Sequence, residues 1–175
     1  MATPSNTPSH TLSRSGARSM AQVSLFAALM AVMGLIPKID LPLGVPITIQ
    51  SLGVMLAGVM LGPWRGLQSM LLFLAAVAVG LPLLSGGRGG IGVFMAPSAG
   101  YLVGYALAAG IAGAIMAALP QSTPRRTALS AFVASVIGGL LCLHAFGVMG
   151  LMGIAGMSLS QAFKVTLAFV PGDFI

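Results

Sequence analysis

Beyond residue 19 the sequence is a succession of apolar runs, each close to the length that crosses a bilayer. None shows the strict alternation of a barrel strand. A spanning helix takes roughly 20 apolar residues, so the chain has room for about six crossings with short connections. Lipid offers no partner to a free backbone amide, and runs of this kind satisfy their own hydrogen bonds as helices. Composition agrees: 57% of the residues are hydrophobic and 6% charged, against about 25% charged in soluble domains, and the mean hydropathy is +1.03. The expected fold is an all-α integral membrane protein, a six-transmembrane-helix bundle whose sixth helix is truncated in this chain.

Eight Lys and Arg stand against two Asp. They are scattered rather than gathered on one face, so the basic pI of about 10.9 does not make a phosphate-tracking surface, and nucleic acid is excluded as a partner. The positive charges instead orient the chain in the bilayer. Cys142 is the single cysteine and has no intramolecular disulfide partner.

Residues 1–19 are rich in Ser, Thr and Pro, carry Arg14 and Arg18 and contain no acid. They read as a disordered cytoplasmic tail; the prolines oppose the amphipathic helix of a transit peptide. Residues 20–175 form one membrane-embedded helical domain. Its spans are expected over about residues 20–36, 47–61, 67–84, 98–119 and 127–151. PKIDLPLGVP links the first pair, and GPWRG (62–66) the next, with Trp64 and Arg65 at the interface. A shorter segment with Lys164 covers about 157–169, and PGDFI (171–175) opens a further helix of fifteen or more residues that lies beyond this chain.

With the tail in the cytoplasm, Arg14, Arg18, Arg65, Arg125 and Arg126 fall inside, and Lys38, Arg88 and Lys164 outside. Both acids, Asp40 and Asp173, fall at the same outer ends. So does the segment GLPLLSGGRGGIGVFMAPSAGYLVGY (80–105), in which five of the eight residues from Ser85 to Gly92 are glycine and Arg88 is the only charge. Glycines let a backbone approach a ligand or a neighbouring helix closely, and Arg88 either anchors the surface or presents its donor fork to an anion.

Other candidates carry two readings each. Gln50 in PITIQSLG contacts the amide-like part of a ligand or makes a cross-helix hydrogen bond. Tyr101 and Tyr105, four apart, are an aromatic wall for a ring or interfacial and packing residues. Asp173, in apolar company, holds a ligand or caps a helix. His144 is a packing histidine or a proton relay. Ala27 and Ala31 form AxxxA and Gly100 and Gly104 form GxxxG, spacings that let helices touch. Hydrolase, P-loop and metal motifs are absent from the sequence, so the chain is read as no enzyme, without cofactor or metal, and unable to hydrolyse ATP itself.

VPITIQSLGVMLAGVMLGPWRG, GLPLLSGGRGGIGVFMAPSAGYLVGY and FVPGDFI, in that order and spacing, resemble the BioY family, the biotin-binding S component of energy-coupling-factor vitamin transporters. The likeness covers nearly all of residues 20–175. It implies a six-helix bundle in the bacterial inner membrane that captures biotin from outside. It also implies a transmembrane coupling subunit and two cytosolic ATPase subunits as partners. Carried over, it points to Arg88, Gly89, Gly90, Tyr101, Gln50 and Asp173 as substrate-binding, and to Ala27 and Ala31 as the face offered to the coupling subunit. APSAGY (96–101) stands where the family pattern reads GPTGGY, and the family's lysine and last helix after PGD lie beyond Ile175. The alternatives are an S component for another vitamin, or a membrane enzyme subunit using His144 and Asp173.

Overall fold

Apolar runs that must hydrogen-bond to themselves become helices, and the computed structural model, which describes residues 10–36, 39–40, 46–47 and 49–167, is built almost wholly of them. In chain order these are α1 (His10–Gly34), α2 (Gln50–Leu61), α3 (Pro63–Ala78), α4 (Ala99–Ala118), α5 (Pro124–Ala134), α6 (Cys142–Ala155) and α7 (Leu159–Leu167). A two-residue antiparallel ladder, β1 (Ile39–Asp40) with β2 (Pro46–Ile47), lies between α1 and α2, where the sequence suggested only a turn-prone link. A 3-10 turn, Ile91–Met95, precedes α4. A π-helical stretch, Ser135–Leu141, joins α5 to α6, making Pro124–Ala155 one continuous 32-residue crossing.

Several expected boundaries move for local reasons. Residues 10–19, expected as disordered tail, are the first turns of α1. No proline follows Pro8 until Pro37, and a helix already nucleated in the bilayer propagates outward at little cost. The GPWRG connection shrinks to one residue: Gly62 reverses the chain at φ 80°, and Pro63 takes the first position of α3, where its fixed φ suits a helix start. Helix α3 stops at Ala78 rather than Leu84, because Gly80 at φ 108° turns the chain out of the helix. Thr123 caps α5, its Oγ1 accepting from the Arg126 amide at 3.3 Å.

Helix α4 is the centre of the bundle, packed against α2, α3, α5 and α6. Its sequence, AGYLVGYALAAGIAGAIMAA, has no charged residue and no polar stripe, as expected of a helix enclosed by neighbours. Close approach depends on small residues. A Cβ on Gly58 of α2 would strike the Ala109 carbonyl; one on Gly100 would strike the Phe146 carbonyl, and one on Gly104 would crowd Leu143 and Phe146. The GxxxG pair therefore seats α4 on α6. The core between them holds Val54, Met70, Phe73, Leu102, Tyr105 and Leu143.

The AxxxA face of α1 touches the interior of the bundle. Ala27 is buried and Ala31 packs against the same internal core, alongside Met30. Small side chains at this spacing let α1 pack closely within the bundle, and Ala31 keeps part of its surface exposed. Leu25 and Val32 face outward instead.

Candidate functional site

The glycine segment is a formed hairpin. Leu84 and Arg88 exchange backbone hydrogen bonds, 3.0 Å from the Leu84 amide and 3.2 Å from the Arg88 amide. Between them Gly86 and Gly87 take φ of 82° and 68°, a left-handed pair that side chains would strain. Gly90, at φ 83°, donates its amide to the Val77 carbonyl at 2.7 Å, and so ties the loop to the last turn of α3. Gly89 lies against the Leu81 carbonyl with no room for a Cβ. Gly89 and Gly90 thus shape the loop through the backbone.

Gln50, at the first position of α2, is 1% exposed. Its Nε2 donates to the Met30 carbonyl of α1 at 3.2 Å and to the Leu83 carbonyl at 3.1 Å. Its Oε1 accepts from the Ser85 amide at 3.4 Å. Both amide hydrogens are committed, so one side chain fastens α1, α2 and the glycine loop together. Gly34 makes this junction possible, since a Cβ there would occupy the Leu83 carbonyl. Of the two readings of Gln50, the cross-helix bond is the one the structure displays.

Arg88 is half-buried and folds across the loop to the head of α4. Its Nε donates to the Ser85 carbonyl and its Nη1 to Ser98 Oγ, each at 3.4 Å. These long bonds use two of five donors. No Asp or Glu occurs in residues 41–172, so no carboxylate from that whole stretch neutralises the guanidinium. Ser85 adds a second polar group that sequence reasoning missed: its Oγ is buried and has no hydrogen-bond partner among the described residues. A buried hydroxyl left unmatched is uncommon. The only hint in the sequence was a lone hydroxyl residue beside the loop's lone charge.

Tyr101 bridges α4 to α6 and α7. Its hydroxyl lies 3.1 Å from Thr166 Oγ1, its ring meets the His144 ring edge-on with centroids 5.9 Å apart, and it fills the space that a Cβ on Gly147 would take. Tyr105 turns instead to Phe73 of α3, at 6.5 Å. The two tyrosines do not make one wall; four residues apart on α4, they serve different interfaces. His144 is buried, and its Nδ1 donates to the Leu140 carbonyl at 2.9 Å, at the end of the π-helical stretch. It packs as a structural histidine. Asp173 lies outside the described residues. No group of three metal-ligating side chains is assembled among the described residues.

A helical membrane bundle with a structured loop at one end, holding a guanidinium and an unmatched hydroxyl, has polar groups suited to binding a small molecule. Residues 5–175 match the model of the BioY family, and the chain belongs to that family. It is 47% identical to the biotin transporter BioY of Rhizobium etli over 87% of this chain and 83% of the relative. It is 44% identical to the biotin transporter BioY of Rhodobacter capsulatus over 87% and 84%, respectively. Among solved structures it is similar to the S-component for biotin from an ECF-type ABC transporter, with a TM-score of 0.81 and 27% identity over 91% of this chain and 85% of that one.

Proposed function

We propose that this chain is the substrate-binding membrane subunit of a biotin uptake system, capturing biotin at the mouth formed by the glycine loop. The observation that supports the reading is Arg88, half-buried and held among the described residues by neutral groups alone. A cation held by two 3.4 Å bonds, in a stretch of 132 residues (41–172) without a carboxylate, suits a ligand that brings its own. Biotin has one carboxylate, a ureido group and an apolar ring and chain. Arg88 and the Ser85 hydroxyl would meet the carboxylate. Asp173, close in sequence to α7, would accept from the ureido N–H groups. Tyr101 borders the site from the head of α4, and Gln50 holds the loop in place rather than touching the ligand.

Orientation follows from charge. Arg65 bonds Gln22 of α1 at 2.7 Å, and Gly113 near the end of α4 packs on Gly62 and Pro63. The α2–α3 and α4–α5 turns, with Arg65, Arg125 and Arg126, therefore share the end opposite the glycine loop. Placing that end in the cytoplasm follows the positive-inside tendency and opens the loop to the outside of the inner membrane. Energy would come from partners: a transmembrane coupling subunit and two ATPase subunits, since this chain has no P-loop.

Binding of labelled biotin to the purified protein tests the assignment. Arg88→Ala is expected to weaken binding by about 10- to 100-fold, the loss of a charge-assisted hydrogen bond worth about 1.5–3 kcal/mol, and Asp173→Asn by a similar factor. Parental affinity in both variants would reject this pocket.

A further inference from the structure

The α4–α5 turn, at the end away from the glycine loop, holds a cleft that biotin capture does not use. Leu119, Pro120, Arg126, Leu129, Ser130 and Val133 line a space of about 270 Å³, roughly nine times a water's share of liquid volume. Four of these six residues are apolar. Ser130 is buried and commits its hydroxyl to the Pro120 carbonyl at 2.8 Å. The strongest polar group left to the cleft is the guanidinium of Arg126, exposed and bonded to Ser122 Oγ at 3.1 Å.

We propose that this cleft binds one anionic phospholipid, its phosphate on Arg126 and the neighbouring Arg125 and its first chain carbons against Leu129 and Val133. Three observations converge on that occupant. Arg125 and Arg126 stand in the first turn of α5, where the helix dipole favours acids, and that turn contains none. With no Asp or Glu in residues 41–172, charge from that stretch cannot offset the pair, and the neutralising anion comes from outside it. The adjoining surface is oily: Leu129 is 63% exposed and Phe132 59%, which suits an acyl chain and not a free hydrated phosphate. The turn is also held rigid before any ligand arrives. Thr127 Oγ1 donates to the Thr123 and Gln121 carbonyls at 3.1 and 3.3 Å, and Gln121 Nε2 donates to the Met116 carbonyl at 2.8 Å. Basic pockets between membrane helices recognise lipid headgroups by this chemistry.

The test is native mass spectrometry of the whole chain from neutral detergent, with phosphatidylglycerol or phosphatidylcholine as probe. One phosphatidylglycerol is expected to be retained per chain, preferred over phosphatidylcholine by about tenfold, the combined effect of two arginines near an anionic headgroup. Arg126→Gln is expected to remove most of that preference. Val133→Trp, which fills the cleft and keeps both arginines, is expected to lower retention, while Arg65→Gln leaves it unchanged. Equal retention of the two lipids by the native chain overturns the proposal, and this arm needs no variant. Unchanged preference in Arg126→Gln, or full displacement by glycerol phosphate, overturns it as well, the last by showing a site for free anions.

Discussion

The two ends of the bundle solve the same problem, turning the chain between helices, in opposite ways. At the cytoplasm-assigned end each turn is short and closed locally: Gly62 reverses the chain directly into Pro63, and Thr123 caps α5 while Pro124 begins it. Its charged groups point outward. At the glycine-loop end the connection is long and closed by distant partners: Gln50 reaches the carbonyls of Met30 and Leu83, 20 and 33 residues away. Gln50 and Ser85 there are buried, and Arg88 is half-buried. A turn that only connects can be built from its own residues, whereas the loop proposed to meet biotin is held by the rest of the fold.

The largest expected effect separates glycines at the two ends. Gly34→Ala places a methyl on the Leu83 carbonyl, and should lower thermal stability in detergent by about 3 kcal/mol or more and abolish biotin binding. Gly62→Ala meets open space and strains only its positive-φ backbone, φ 80° and ψ 179°, about 1–3 kcal/mol. Equal losses would erase the distinction between a locally closed turn and a remotely held loop.

Next comes Gln50→Leu, which strips two carbonyls and one amide of their partner. The expected loss is about 2–4 kcal/mol, read by thermal unfolding, together with faster hydrogen exchange at the Ser85 amide. Retained protection there would mean that the loop stands without its clamp. The smallest effect belongs to the other end. Thr123→Ala removes one cap at a cost of about 1 kcal/mol, and biotin affinity should be unchanged; an affinity loss would couple the two ends.

Much of the fold was legible because its signals were local. Helix α4 begins and ends within one residue of the expected 98–119 span, marked by a long apolar run closed by Pro120. The GxxxG pair was legible as a contact surface, although its partner, α6, was not. Misplaced boundaries trace to short-range geometry that composition does not show: the φ of Gly80 ends α3 early, and Pro63 starts it early. Within the site, Arg88 stood out as a lone charge among glycines. Ser85 did not, since a serine beside glycines signals only a turn until its hydroxyl is seen buried and unmatched.

By itself the sequence determined that this chain enters a bilayer as helices and that its few charges lie between the spans rather than within them. Both follow from the cost of an unpaired amide or a charge in hydrocarbon, which is paid residue by residue and needs no knowledge of neighbours. Only the tertiary structure decided that Gln50 is a clamp, that Ala27 faces the chain's own core, and that Tyr101 and Tyr105 part company. Those outcomes depend on which helix lies opposite a given side chain, and spacing along one helix fixes a face without naming what the face will meet.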